Sequence, residues 1–236
     1  MNLDSKESFD QYAAEYDSAL GQGLRVSGEN KDYFARRRIE WLRDRLSKDL
    51  ARVRHVMDYG CGTGSSSPLL VDILGAKAVI GADASVKSLE IATQNHGSEH
   101  TQFIRFDQYQ PDGRFDLVYA NGVFHHIPLS ERAGAVSYIY RSLRPGGLFA
   151  FWENNPWNPG TRLVMSRISF DRDAITIAAP RARALLQSGG FEILRTDFLF
   201  IFPNVLRWLR WIEPFCAGIP AGAQYQVLCR KPLPSR

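Results

Sequence analysis

The run Val56-Met57-Asp58-Tyr59-Gly60-Cys61-Gly62-Thr63-Gly64 joins a short apolar strand to a helix opening at Ser65-Ser66-Ser67-Pro68, and this strand, glycine turn and helix restrict the chain to few architectures. Gly60, Gly62 and Gly64 can adopt φ > 0 and carry no Cβ, so a ligand can lie against the main chain while the helix aims its N–H groups at the same spot. The order is G-x-G-x-G. A pyrophosphate fingerprint places its third glycine one residue later, for close helix packing. Asp58, just before the glycines, would repel a pyrophosphate and suits a cationic or hydroxyl-bearing ligand instead. Taken alone, the triplet is equally a plain tight turn.

The residues that follow narrow the choice. Ala78-Val79-Ile80-Gly81-Ala82-Asp83 reads as a second strand ending in an acid, roughly 20 residues past the glycines, where a βαβ unit places its ribose-binding carboxylate. Asp83 is alternatively a helix cap, but Ser85 is better placed to cap a helix over Lys87 to Asn95. A third strand, Gln102 to Phe106, ends at Asp107, and a fourth, Phe115 to Ala120, ends at Asn121. Polar residues at successive strand ends fit an open α/β sheet that binds ligand along its carboxyl edge.

The series Asp58-Tyr-Gly-Cys-Gly-Thr-Gly64, Gly81-Ala-Asp83-Ala84-Ser85, Phe106-Asp107, Phe115 to Pro128 with its His125-His126-Ile127-Pro128 run, and Leu143-Arg-Pro-Gly-Gly-Leu-Phe149 resembles the class I S-adenosylmethionine-dependent methyltransferases. It is most similar to small-molecule enzymes of the ubiquinone and menaquinone type. The resemblance implies a Rossmann-like, doubly wound α/β fold with a seven-stranded sheet, mostly parallel with an antiparallel edge. Core strands are expected at about 54–59, 77–83, 101–106, 115–120 and 147–152, and the edge pair at about 191–202 and 223–231. Residues 1–50 would form an N-terminal helical cap or lid and 51–236 the core of one globular unit. Phe9, Tyr12, Ala13 and Tyr16 stand at helical spacing in that cap, a looser stretch follows from Gly21 to Asn30, and a second helix runs from about 31 to 50. Tyr12 and Tyr16 either touch ligand or pack the cap on the core.

The resemblance also implies a cofactor, S-adenosyl-L-methionine, leaving as S-adenosyl-L-homocysteine. Gly60, Cys61 and Gly62 would lie along its methionine part, Asp58 near its amino group, Asp83 with neighbouring Ala84 at the ribose, Asp107 at the adenine amino group, and Asn121 along the site wall. Acids suit a ligand carrying an ammonium and a sulfonium. The cofactor's carboxylate needs a cation, and Arg38 shares a helical face with Phe34, Trp41 and Leu42, whereas Arg36 and Arg37 read as a solvated face.

Methyl transfer is an in-line displacement, so the protein must chiefly align a nucleophile and, for oxygen or nitrogen acceptors, remove a proton, with no metal ion required. His125 and His126 follow the fourth strand at the carboxyl edge and are candidate bases or substrate contacts; one of such a pair often only holds a backbone carbonyl. Glu153, after the fifth strand, is a further candidate base or a structural loop residue. Asn155-Pro156-Trp157 is similar to the Asn-Pro-Pro-Tyr motif of amino-methylating enzymes, but that motif follows the fourth strand, where this chain has Asn-Gly-Val-Phe.

With 236 residues, 44% of them hydrophobic, the chain can close a sizeable core. A formal net charge of +4 without a dense basic block argues against a nucleic acid partner and makes a small molecule, with a hydrophobic one allowed, the expected acceptor. Cys61, Cys216 and Cys229 lack metal-ligand spacing and fit a reducing, cytoplasmic setting, and the first residues lack the order of a signal peptide. The apolar stretch from Asp197 to Glu213 reads as a buried strand followed by a short packed helix; Arg207 and Arg210 would alternatively let that helix lie on a membrane or grip an acidic or lipid-like acceptor, and a dimer contact is open as well. A catalytically inactive cofactor-binding regulator and an RNA or protein methyltransferase are the alternative readings. A blocked acceptor pocket would favour the first, a wide basic groove the second.

Overall fold

The computed structural model describes residues 21, 23, 24, 27–46, 49–168 and 174–234. Its centre is one seven-stranded sheet in the order β3-β2-β1-β4-β5-β7-β6. The strands are β1 (His55–Tyr59), β2 (Ala78–Asp83), β3 (Thr101–Arg105), β4 (Phe115–Asn121), β5 (Leu143–Asn154), β6 (Glu192–Leu199) and β7 (Gln224–Arg230). From β1 the chain steps outward through β2 to β3, then returns to place β4 on the other side of β1, all in parallel. Strand order therefore reverses between β1 and β4, and the glycine turn leaves the sheet at that switch point, where open α/β sheets bind their ligands. The last two strands form the antiparallel pair: β7 runs against both β5 and β6 and lies between them.

Successive strand residues face opposite sides, so each strand feeds two cores. On one side Met57, Val118, Phe149, Phe151 and Val227 pack with Val136 and Ile139 of α4 (Arg132–Ser142) and Leu186 of α6 (Ala179–Ser188). On the other, Val56, Leu117, Ala150 and Trp152 meet Ile39, Leu42 and Leu46 of α1 (Lys31–Leu46) and Leu70 of α2 (Ser67–Leu74). Each fully buried aliphatic or aromatic side chain contributes about 1.5–3 kcal/mol of transfer free energy, which fixes the register of the strands that carry the site. α1 belongs to the same core as β1.

Local chemistry explains the helix ends. Asn30 Oδ1 accepts the Tyr33 N–H, Asp32 lies in the first turn of α1, and Arg43 and Arg45 lie in its last, matching the helix dipole. Ser85 caps α3 (Val86–His96) by accepting the Ser88 N–H, as the spacing predicts. α1 ends at Leu46, short of the expected 50, and a 3₁₀ turn follows at Leu50–Arg52. β3 stops at Arg105 because a 3₁₀ turn, Phe106–Gln108, takes over, with the Gln108 side chain accepting the Arg105 N–H. The expected helix around residues 7–18, with Tyr12 and Tyr16, lies outside the described residues. Gly21, Gly23 and Leu24 are helical, where a looser stretch was expected.

The segment after β6 departs from the packed-helix expectation. The 3₁₀ segment Asn204–Ile212 continues into α7 (Glu213–Cys216), and none of the residues of Asn204–Ile212 is buried. Polar anchors occupy its inner side: the Glu213 carboxylate accepts the Ile201 N–H, and Arg210 bonds the Phe202 carbonyl and pairs with Glu29. Trp208 and Trp211 are left outside, 67% and 72% exposed.

Candidate active site

The glycine turn is clamped to β2. Gly60 and Cys61 donate their N–H groups to the Ala82 carbonyl, and Asp83 accepts Gly62 N–H at 2.8 Å through one oxygen and Ser85 N–H at 2.9 Å through the other. Half-buried Ala84 bridges that carboxylate to the capping serine. A Cβ on Gly60 would meet Val123 at 2.5 Å, so this glycine is required for packing, at φ 70°. A Cβ on Gly62 would meet nothing within 4 Å, so the turn presents its bare main chain to open space there. This is the surface a ligand laid along the turn requires.

Asp58 sits below the turn, buried, with its carboxylate accepting from Ser67 Oγ at 2.7 Å. Burial lifts its pKa to about 7, the Ser67 hydrogen bond and the Arg38 charge oppose that rise, and the Asp83 charge adds to it. Burial likewise pushes the Cys61 thiol well above its ordinary range, with Asp83 and Asp58 adding to the effect, so Cys61 contributes a neutral wall.

Beyond β1 and β4 opens a cavity of about 370 Å³ whose lining includes Arg38, Asn121, Gly122, His125 and His126. Arg38 points inward from α1, 7% exposed, and its guanidinium donates to the Tyr119 hydroxyl at 3.3 Å and to Gln224 Oε1 at 2.9 Å. Both partners are neutral. A buried guanidinium held by neutral acceptors keeps its charge for an anionic ligand group. Arg36 is exposed and Arg37 pairs with Glu40, in keeping with their solvated face. The Asn121 side-chain oxygen is buried without a hydrogen-bond partner, a vacancy that a ligand donor would fill.

His125 is 4% exposed, and its Nδ1 lies 2.6 Å from Glu153 Oε2. The other Glu153 oxygen accepts the Phe124 N–H at 2.7 Å and the His125 N–H at 3.3 Å. Burial alone would raise the Glu153 pKa, but the His125 charge and hydrogen bond, the Phe124 N–H and the His126 charge together hold it below the ordinary carboxylate value. Of the two roles expected for Glu153, base or structural residue, its 1% exposure and two engaged oxygens favour the second, behind His125. The His125 and His126 rings lie 4.1 Å apart between centroids.

The expected residues thus divide. Arg38, Asn121, His125 and His126 meet at the cavity; Asp58, Gly60, Cys61, Gly62, Asp83 and Ala84 gather around the turn beside it. Asp107 stands on the 3₁₀ turn after β3. Phe106 packs against Tyr59 at 4.6 Å, and Asp107 on the same turn is 59% exposed and paired with Arg105. Cavity contributors beyond the sequence reading include Gln224 from β7, Thr161 on α5 (Pro159–Arg167), and Phe200, a non-glycine residue held at φ 62° just after β6. Only Asn158, which caps α5 through Thr161 N–H, left a local signal for this wall.

Comparison with known proteins agrees with this arrangement. Residues 57–151 match the family described as Methyltransferase domain. The trans-aconitate 2-methyltransferase of Methylobacterium nodulans (strain LMG 21967 / CNCM I-2342 / ORS 2060) is 29% identical over 218 residues, 84% of this chain and 83% of that one. The trans-aconitate 2-methyltransferase of Delftia acidovorans (strain DSM 14801 / SPH-1) is 24% identical over 208 residues, 76% of this chain and 77% of that one. A SAM-dependent methyltransferase from Thermotoga maritima shares the fold with a TM-score of 0.65 at 21% identity, covering 96% of this chain and 99% of that one. With its glycine turn at the switch point of a seven-stranded sheet, this chain has the Rossmann-like fold of the S-adenosylmethionine-dependent methyltransferases, and its residues 57–151 match a methyltransferase domain.

Proposed function

We propose that the chain methylates a small acceptor with an apolar body and an acidic group, seated in the cavity beside the glycine turn, and releases S-adenosyl-L-homocysteine. The observation that carries this reading is the meeting of Arg38, the unpartnered Asn121 oxygen and His125 in one open cavity at the strand switch point. S-adenosylmethionine supplies, when bound, a methyl group on a positively charged sulfur. The Gly62 main chain, Asp83 and Asp58 would hold its sugar and amino group, Asn121 would accept a hydrogen bond, and Arg38 would meet its carboxylate. Asp107, engaged by Arg105 at the rim, is left out of this set.

Phe34, Val164, Met165, Ile168 and Phe202 give the cavity apolar walls, and among its described lining residues Lys31, Arg38 and Arg210 outnumber one acid, Glu29, which pairs with Arg210. Such a lining favours an apolar acceptor bearing a carboxylate, and the relatives are named for one acidic acceptor, trans-aconitate. The Glu153 carboxylate accepts a hydrogen bond from Nδ1–H of His125, which leaves Nε2 as the basic nitrogen and sets the ring's orientation. Where the accepting atom is a hydroxyl or an amine, His125 removes its proton; a carboxylate is already ionised and only has to be aligned, with His125 and His126 as its contacts. An accessible cavity supports an enzyme over an inactive regulator.

The test is transfer of labelled methyl to a panel of trans-aconitate, longer-chain carboxylic acids and their hydroxylated counterparts, the last needing a base. Saturable labelling that His125→Ala lowers through kcat supports the reading. Labelling that His125→Ala leaves unchanged at every pH makes that side chain a scaffold.

A further inference from the structure

The exposed aromatic stripe beside the cavity has no role in the chemistry above. Trp208, Trp211 and Phe215 follow at intervals of three and four, one face of the 3₁₀ segment and α7, and are 67%, 72% and 83% exposed. Val205, 80% exposed, precedes them. Tryptophan and phenylalanine bared together on one turn are uncommon on a monomer's surface and mark an interaction site.

Position and charge indicate the occupant. The stripe begins directly after Phe202 and Pro203 and flanks Arg210, and all three of these line the cavity, so the segment borders it. α5, which supplies Val164 and Met165 to the same cavity, exposes Leu163, Arg162 and Arg167. Arg207 is exposed among the tryptophans, and the one acid between residues 200 and 222, Glu213, is buried. The two segments bordering the cavity thus present aromatic rings and arginines with no exposed acid, the composition of a peptide face that seats in an anionic bilayer interface.

We infer that the stripe Val205, Trp208, Trp211 and Phe215, with Arg207, docks the enzyme on an anionic lipid surface, with the cavity mouth turned toward the acyl chains. An acceptor with an apolar body would then enter from the bilayer without crossing water. This rests on the acceptor reading for its purpose, but docking itself requires neither acceptor nor cofactor.

Flotation of the full chain with vesicles of phosphatidylcholine, alone or mixed with phosphatidylglycerol, tests it. The mixed vesicles should carry the protein, the neutral ones much less, and added salt should release it. The double variant Trp208→Ser with Trp211→Ser should lose roughly tenfold or more in vesicle affinity while keeping its circular dichroism spectrum and its methylation of a water-soluble acceptor. Arg207→Glu, which alters no apolar contact, should weaken binding only to the anionic vesicles. No association with either vesicle, association unchanged in the double variant, or a dimer that the double variant converts to monomer would overturn the inference. The first two outcomes leave the methyltransferase reading intact.

Discussion

Nδ1 of His125 lies 2.6 Å from Oε2 of Glu153, and neither side chain is more than 4% exposed. The pair joins the 3₁₀ turn after β4 to the end of β5 and presents the histidine, not the acid, to the cavity. Glu153→Gln keeps the shape and an acceptor oxygen but removes the charge that supports a protonated imidazole. kcat should fall about 10- to 100-fold with KM little changed, and the acid limb of the kcat profile should move. Because the folded Glu153 pKa lies below its unfolded value, its contribution to stability is complete above the unfolded pKa and disappears as pH falls through the folded one. Acid unfolding of the variant should therefore begin from a lower plateau at neutral pH.

Asp58 has the opposite sign. Its folded pKa is raised from 3.8 to about 7, so its contribution is fully present below pH 3.8 and is lost as pH rises through the folded value. Asp58→Asn should leave stability unchanged near pH 4 and raise it at pH 8 by up to about 4 kcal/mol, measured by urea denaturation across pH. The same variant should bind the cofactor more weakly, since an ammonium beside Asp58 favours the ionised carboxylate. Proton release on binding to the wild type, read by calorimetry in buffers of different ionisation enthalpy, checks that coupling.

Two glycines of one turn should respond differently. Gly60→Ala drives a methyl to 2.5 Å from Val123 at φ 70° and should destabilise the fold by about 2–4 kcal/mol. Gly62→Ala, at φ 53° with open space around the new methyl, should cost only about 1–2 kcal/mol yet remove most cofactor affinity. Denaturation midpoints and ligand titrations on both variants separate packing from binding.

Arg38→Met retains the apolar stem within α1 but removes the donor to Tyr119 and Gln224. Losing one charge-assisted bond to the cofactor's carboxylate corresponds to about 10- to 100-fold weaker binding. Titration with S-adenosylmethionine and with an analogue lacking the carboxylate should show that loss only for the former.

What was legible in the chain was whatever local spacing governs. Strand ends at Tyr59, Asp83 and Asn121, the Ser85 cap and the inward turn of Arg38 follow from periodicity and turn chemistry. What was not legible depends on contacts between distant segments. Gln224 reaches Arg38 across 186 positions, and only the strand order places β7 beside β5. Asp107 follows β3 as a site acid should, and its pairing with Arg105, two residues away, depends on the turn that ends the strand. Glu153 was seen as chemistry at the right edge, yet its orientation behind His125 needed the register of β4 on β5. The outward tryptophans reversed a pattern read as core because Glu213 and Arg210 fill the inner positions.

The central claim is that the turn beside Asp83 holds S-adenosylmethionine. Isothermal calorimetry of the wild type should show saturable binding at one site per chain, with matching protection against thermal unfolding, and Asp83→Ala should abolish both while remaining folded by circular dichroism. A wild type that gives neither binding heat nor protection, or an Asp83→Ala variant that binds as tightly as the wild type, would contradict the account.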